Sequence, residues 1–170
     1  LFASQIVADH LSENNYFLDA GLVKICVDMN KMTSVIVLHL GSAFFMTGAI
    51  WVIQVLHYPS FEFFSKNEFS SKMRWHQNRV SWIVVPAMLV ELVTGGWICW
   101  KLGFHDLVWN VNLGMLILTW LSTAVLQGPA HQYLLKGHNL EKILFLKRSN
   151  WIRVVFWTVR SWILLYFLAY

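Results

Sequence analysis

Four stretches of the chain are almost continuously apolar and long enough to cross a hydrocarbon core of about 30 Å, which takes roughly 20 helical residues. They run from Ser34 to Leu56, Ser81 to Trp100, Leu107 to Leu126 and Trp151 to Ala169. The first and third carry no formal charge, the second holds Glu91 at its centre, and the fourth holds Arg160 at its centre. Pro86 removes one backbone bond and kinks the second helix, which a membrane bundle tolerates where neighbours satisfy the freed carbonyl. A short turn with Gly103, His105 and Asp106 makes helices two and three antiparallel neighbours. The pattern predicts an all-α fold, an integral membrane bundle of four transmembrane helices over residues 32–170.

Residues 1–31 differ from the rest. Asp9, Glu13, Asp19, Lys24, Asp28 and Lys31 interrupt them, so no spanning run forms, and no signal-peptide pattern is present. They are expected to be a peripheral N-terminal extension, with a natural start at Met29 or Met32. The two connections at 58–80 and 127–150 mix aromatics with Lys and Arg, which suits segments lying in the headgroup layer. The second of these predicts an interfacial helix from Glu141 to about Arg148.

Within the apolar spans the polar residues keep a helical beat. His39, Thr47, Gln54 and His57, with Ala43 and Ile50, share one face of the first helix. Helix two offers His76, Ala87, Glu91 and Gly95, helix three offers Asn112, Thr119, Thr123 and Gln127, and helix four offers Arg153, Trp157 and Arg160. Polar groups in lipid turn inward because an unpaired one facing hydrocarbon is costly. The hydroxyls and Gln54 are expected to act as interhelical glue.

Composition agrees with the pattern. Hydrophobic residues make up 57% and charged residues 13%, against roughly 45–50% and 25% in soluble domains. Mean hydropathy is +0.52. The pI of about 9.2 reflects topology and anionic membrane lipid, with no nucleic acid implied. Lys66, Lys72, Arg74, Arg79, Lys136, Lys142, Lys147, Arg148 and Arg153 flank one side, against Lys24, Lys31 and Lys101 on the other. That bias puts the long connections in the cytoplasm and both termini outside it. Cys26 and Cys99 fall near the outer face, where free thiols and a disulfide are both open.

Two constellations could carry chemistry. Helices two and four start at the same face, so Glu91 and Arg160 sit at one depth, and pairing offsets the cost of burying each alone. The pair serves either packing or a proton or ligand site. His57, His76 and His131 gather at the cytoplasmic end, with Arg79, Gln127 and Arg153 completing a candidate ligand site. Neutral imidazoles also bind metals, so His39, His57, His76 and His131 are metal candidates, although no HxxxH or CxxC spacing supports them. Histidines bonded to headgroups or backbone are the alternative. Positive charge around the three imidazoles favours a small anionic ligand over a bare cation.

The runs HLGSAFFMTGAIWVIQVLHYP at 39–59, PAMLVE at 86–91, LSTAVLQGPAH at 121–131 and NWIRVVFWTVR at 150–160 resemble a family of small, uncharacterised bacterial inner-membrane proteins. The resemblance covers Met32 onward and implies four helices and no assigned reaction. A fainter likeness is to four-helix haem proteins that oxidise protoporphyrinogen and to copper-resistance membrane subunits. The haem likeness implies a possible haem b, with His39 the match to a ligand early in helix one. Two functions stay open. One is a non-enzymatic membrane protein that binds an anionic or lipid-like ligand or partners a larger membrane complex. The other is a haem- or metal-binding membrane oxidoreductase. No nucleophile–base pair or nucleotide-binding loop accompanies either.

The topology is open to test. Single cysteines placed within 62–72 and 136–148 should resist an impermeant thiol reagent applied from outside intact cells. Their ready modification from outside would invert the orientation.

Overall fold

A computed structural model describes the backbone of residues 2–169 and the side chains of residues 23–169. The side chains of Asp9, Glu13 and Asp19 in the expected extension lie outside the described residues. Among the described residues the regular structure is helical throughout. The long helices are α1 (Phe2–Val52), α3 (Phe69–Lys101), α4 (Leu107–Ser122) and α6 (Leu140–Ala169), with short α2 (Tyr58–Ser60) and α5 (Gly128–Leu134) between them. Four helical stretches are long and apolar enough to cross a membrane: Val23–Phe63, Phe69–Lys101, Leu107–Leu134 and Leu140–Ala169. The protein is an all-α, multi-pass membrane bundle.

By its contacts the chain forms two units, Leu1–Val37 and Leu38–Tyr170. In the first, the Thr33 and Ser34 hydroxyls donate to the carbonyls of Met29 and Asn30, one helical turn back. The second unit is the bundle described from here on.

The helices outrun their apolar stretches. The 30 residues of α6 extend about 45 Å at 1.5 Å per residue, more than a hydrocarbon core needs. The separate interfacial helix expected from Glu141 to Arg148 is the first part of α6. No Gly or Pro stands between Leu140 and Trp151, and Asn139 caps the start by accepting from the Lys142 amide at 2.9 Å. Likewise α3 begins at Phe69, well before Ser81. The aromatics of the first connection, expected among headgroups, divide: Phe63 is exposed, whereas Phe61 and Phe69 are fully buried with Met73, Leu134, Ile143 and Leu146.

The turn from α3 to α4 follows its sequence closely. Gly103 takes φ +68°, a conformation glycine adopts without a Cβ penalty. Asp106 then caps α4, its carboxylate accepting from the amides of Val108 and Trp109 at 2.9 and 3.2 Å.

The ends of α1 and α4 are built alike. Each passes into a π-helical turn, Ile53–His57 and Thr123–Gln127, in which the amide of the following residue reaches back five positions. Tyr58 N–H donates to the Ile53 carbonyl, and Gly128 N–H to that of Thr123. Pro59 and Pro129 come next, at matching places in VLHYP and VLQGP. A proline clashes with the carbonyl four residues back and lacks an amide hydrogen, and the widened turn absorbs that misfit. Counting on, Glu91 lies 32 residues past Pro59, and Arg160 lies 31 past Pro129.

Those two residues meet in the core. Both are fully buried. Arg160 Nη1 donates to Glu91 Oε1 at 3.3 Å, and Trp157 Nε1 donates to Glu91 Oε2 at 3.0 Å. Arg160 Nε and Nη2 both donate to Asn112 Oδ1 at 3.2 Å. On the side of the prolines, Met46, Ile50, Met88, Val154 and Trp157 form an apolar layer. Thr47 joins α1 to α6 through the Trp157 carbonyl, 3.1 Å, and the Ser161 hydroxyl, 2.7 Å. Thr119 instead donates within α4, to Met115 O at 2.9 Å, so only some of the hydroxyls act as glue between helices.

The pair sets a stability prediction. Glu91→Gln should destabilise the bundle by about 3 kcal/mol or more, because it leaves Arg160 buried without a counter-charge. Glu91→Gln with Arg160→Met should be the more stable of the two in a detergent unfolding titration. Additive losses across the cycle would mean that the charges do not couple.

Candidate functional site

The three imidazoles expected at one end of the bundle do converge. His57 follows from the π-turn, His76 from the early start of α3, and His131 from the short helix after Pro129. His57 Nε2 and His76 Nδ1 are hydrogen-bonded, and their ring centroids are 4.0 Å apart. His76 and His131 stack at 6.3 Å. Beside them lies a cavity of about 200 Å³ whose walls include His76, His131, Gln127, Arg153 and Tyr58. Its other walls are Ile50, Ile53, Val80, Val84 and Met88.

Arg153 is the centre of the polar end. It is only 6% exposed. Its Nε donates to Asn150 Oδ1 at 2.8 Å, and Nη2 donates to the same oxygen and to the Tyr58 hydroxyl at 2.9 Å. Nη1 has a single long contact, 3.5 Å to Thr123 Oγ1. Asn150 is held in turn by donating to Gln54 Oε1 at 2.7 Å, and Gln54 Nε2 donates to the Lys147 carbonyl at 3.1 Å. Among the described residues the ion pairs are Lys72–Glu68, Lys147–Glu62 and Arg160–Glu91. The Arg153 guanidinium is therefore buried without a carboxylate.

The hydrogens around Tyr58 can be assigned. Its oxygen accepts from Arg153, so its own O–H is free to donate to His131 Nε2, 3.2 Å away. His131 then carries its hydrogen on Nδ1. That atom is buried and has no hydrogen-bond partner. Arg153 and His131 both line the cavity; the guanidinium is under-used at Nη1, and the orphaned imidazole Nδ1–H is closed off from open space. Both are donors, and a buried donor without an acceptor costs about 1–3 kcal/mol.

Not every expected residue joins this site. Gln127 does, donating to Ser149 Oγ at 3.3 Å and accepting from Ser122 Oγ at 3.2 Å. Arg79 does not: it is exposed, its guanidinium 5.8 Å from the Trp75 ring. Three residues past His76 carries it around α3 to the outer face, where its stem can lie along an aromatic. His39 lies elsewhere, 1% exposed, its Nδ1 2.9 Å from Thr94 Oγ1 and its Nε2 3.5 Å from Asn112 Oδ1. It packs edge-on against Trp109, and Gly95 makes room for it, since a β-carbon there would come within 3.0 Å of His39 Cε1. Tyr58, the bridge between Arg153 and His131, escaped the sequence reading. Its place beside His57, just before a proline, was the available sign.

Among the described residues no group of three or more His, Cys, Asp or Glu is disposed to hold a metal ion. His39 does not fit the haem-ligand role that the likeness implied. His39 has both nitrogens turned to protein groups, and His57 and His76 spend one nitrogen each on the other. The cavity of about 200 Å³ is smaller than the roughly 300–1,000 Å³ that drug-sized ligands occupy. Cys26 and Cys99 are free thiols, the first exposed and the second buried.

No family model matches the chain, and no curated protein or solved structure matches it either.

Tyr58→Phe tests the hydrogen-bond chain directly. Removing one oxygen leaves Arg153 Nη2 and His131 Nε2 short of a partner, and stability should fall by about 1–3 kcal/mol. Thermal unfolding of purified protein in detergent reads this. A variant as stable as the parent would show that the phenol does not bridge the two.

Proposed function

We propose that this chain is an inner-membrane protein that binds a small anionic ligand, carboxylate or phosphate, in the cavity between α3, α5 and α6. One observation carries the reading: Arg153 is buried on the cavity wall with no carboxylate partner, beside the unpartnered Nδ1–H of His131. An isolated buried charge is expensive, and an anion against the guanidinium offsets that cost. The neighbouring His76 and Gln127 add polar surface that selects among anions of different shape. A divalent cation is disfavoured by the same guanidinium. The basic residues of 62–79 and 136–148 support a cytoplasmic position for this end of the bundle. The reading asks for recognition by positioned donors and for no catalytic step.

In a neutral detergent, carboxylates and phosphates should raise the melting temperature of the purified protein in a saturable way. A ligand at about 100 times its Kd adds about 2.7 kcal/mol to stability. Arg153→Met should abolish the increment, and His131→Phe should weaken it. Equal stabilisation of parent and Arg153→Met would place the anion elsewhere and end the proposal.

A further inference from the structure

The cavity has both polar and apolar lining residues, and it reaches the exposed face of α3. Ser81 and Val85 line it, and both are exposed on α3. The same two residues, with Trp82 and Pro86, line a second hollow of about 260 Å³ whose walls are almost wholly apolar. The hollow is a groove on the outer face of α3 that shares Ser81 and Val85 with the cavity. That face lies within the span Phe69–Lys101, where Trp82, Ile83 and Leu89 are exposed to what surrounds the bundle. Water supplies nothing to such a wall, whereas acyl chains fill it. Val80, Val84, Ile50, Ile53 and Met88 give the cavity an apolar lining beside Arg153 and His131.

We infer that the ligand is an anionic amphiphile of the bilayer, a single oxyanion head on one unbranched apolar chain, which enters sideways between α3 and the π-turn of Thr123–Gln127. Its head meets Arg153 beside His131, and its chain leaves past Val85 along the groove beside Pro86. This rests on the anion-binding reading above and adds the ligand's tail and its route. A soluble ion would satisfy the guanidinium but leave the apolar lining of the cavity and the adjoining groove empty. A neutral lipid would fill the groove but leave Arg153 without a counter-charge. Only a molecule with both parts matches both surfaces. Carboxylate and phosphate heads share this chemistry, and so do free anions and lipid-borne ones, so the experiment separates them.

Purified full-length protein in a neutral maltoside detergent should be titrated with dodecanoate, dodecyl phosphate, dodecanol, acetate and inorganic phosphate, reading thermal unfolding and tryptophan fluorescence. At least one of the two charged amphiphiles should bind at least tenfold more tightly than acetate and inorganic phosphate. Arg153→Met should weaken that binding at least tenfold and leave dodecanol unchanged. Val85→Trp, on the exposed face where folding is not at stake, should block the entry and weaken the charged amphiphile by a similar factor. Acetate or phosphate binding as tightly as the dodecyl compounds overturns this inference and leaves the anion site standing. Dodecanol matching dodecanoate also overturns it, since the head would then be irrelevant. Binding of no oxyanion at all, with or without a chain, removes both readings.

Discussion

Hydrocarbon gives a charged side chain no partner, so the meeting of Glu91 with Arg160 constrains everything around it. To be tolerable at full burial, each group needs its remaining lone pairs and hydrogens occupied. Trp157 and Asn112 do this, and each is fixed by helix register relative to the pair. Asn112 in turn faces His39, and His39 requires Gly95 across from it. One ion pair therefore ties α1, α3, α4 and α6 into a single arrangement. A helix turned by one residue would break several of these contacts at once.

The second polar layer obeys a different rule. Around Arg153 the side chains are neutral hydrogen-bonders: Asn150, Tyr58, Thr123 and His131. They orient the guanidinium without cancelling its charge. The core pair is closed on itself, whereas Arg153 meets no carboxylate among the described residues. Met46, Ile50, Met88, Val154 and Trp157 lie together as an apolar cluster of the bundle, and Trp157 belongs to both that cluster and the closed network.

The bundle was readable because apolar length and helical period are strong, additive signals. The shared depth of Glu91 and Arg160 followed from counting residues into helices that start at one face. The convergence of His57, His76 and His131 followed from the same topology. Helix ends were harder, because the polar flanks of α3 and α6 contain good helix formers and carry no breaker to mark where hydrocarbon stops. Arg79 looked like part of the site by its position in the chain, yet its direction on the helix sends it outward beside Trp75. The π-turns leave no trace in hydropathy, since one added residue in a turn changes direction without changing composition. Tyr58 was lost with them.

Those matching π-turns and prolines divide the bundle into two hairpins of like construction, each entering and returning once. Counted from the two prolines, Glu91 and Arg160 fall at places one residue apart in the two hairpins. Opposite charges at these near-matching places make the two halves unlike. The imidazole cluster shows the same divergence, for Gln127 and Gly128 stand where the first half has His57 and Tyr58. The architecture is shared between the halves, and its chemistry is divided between them.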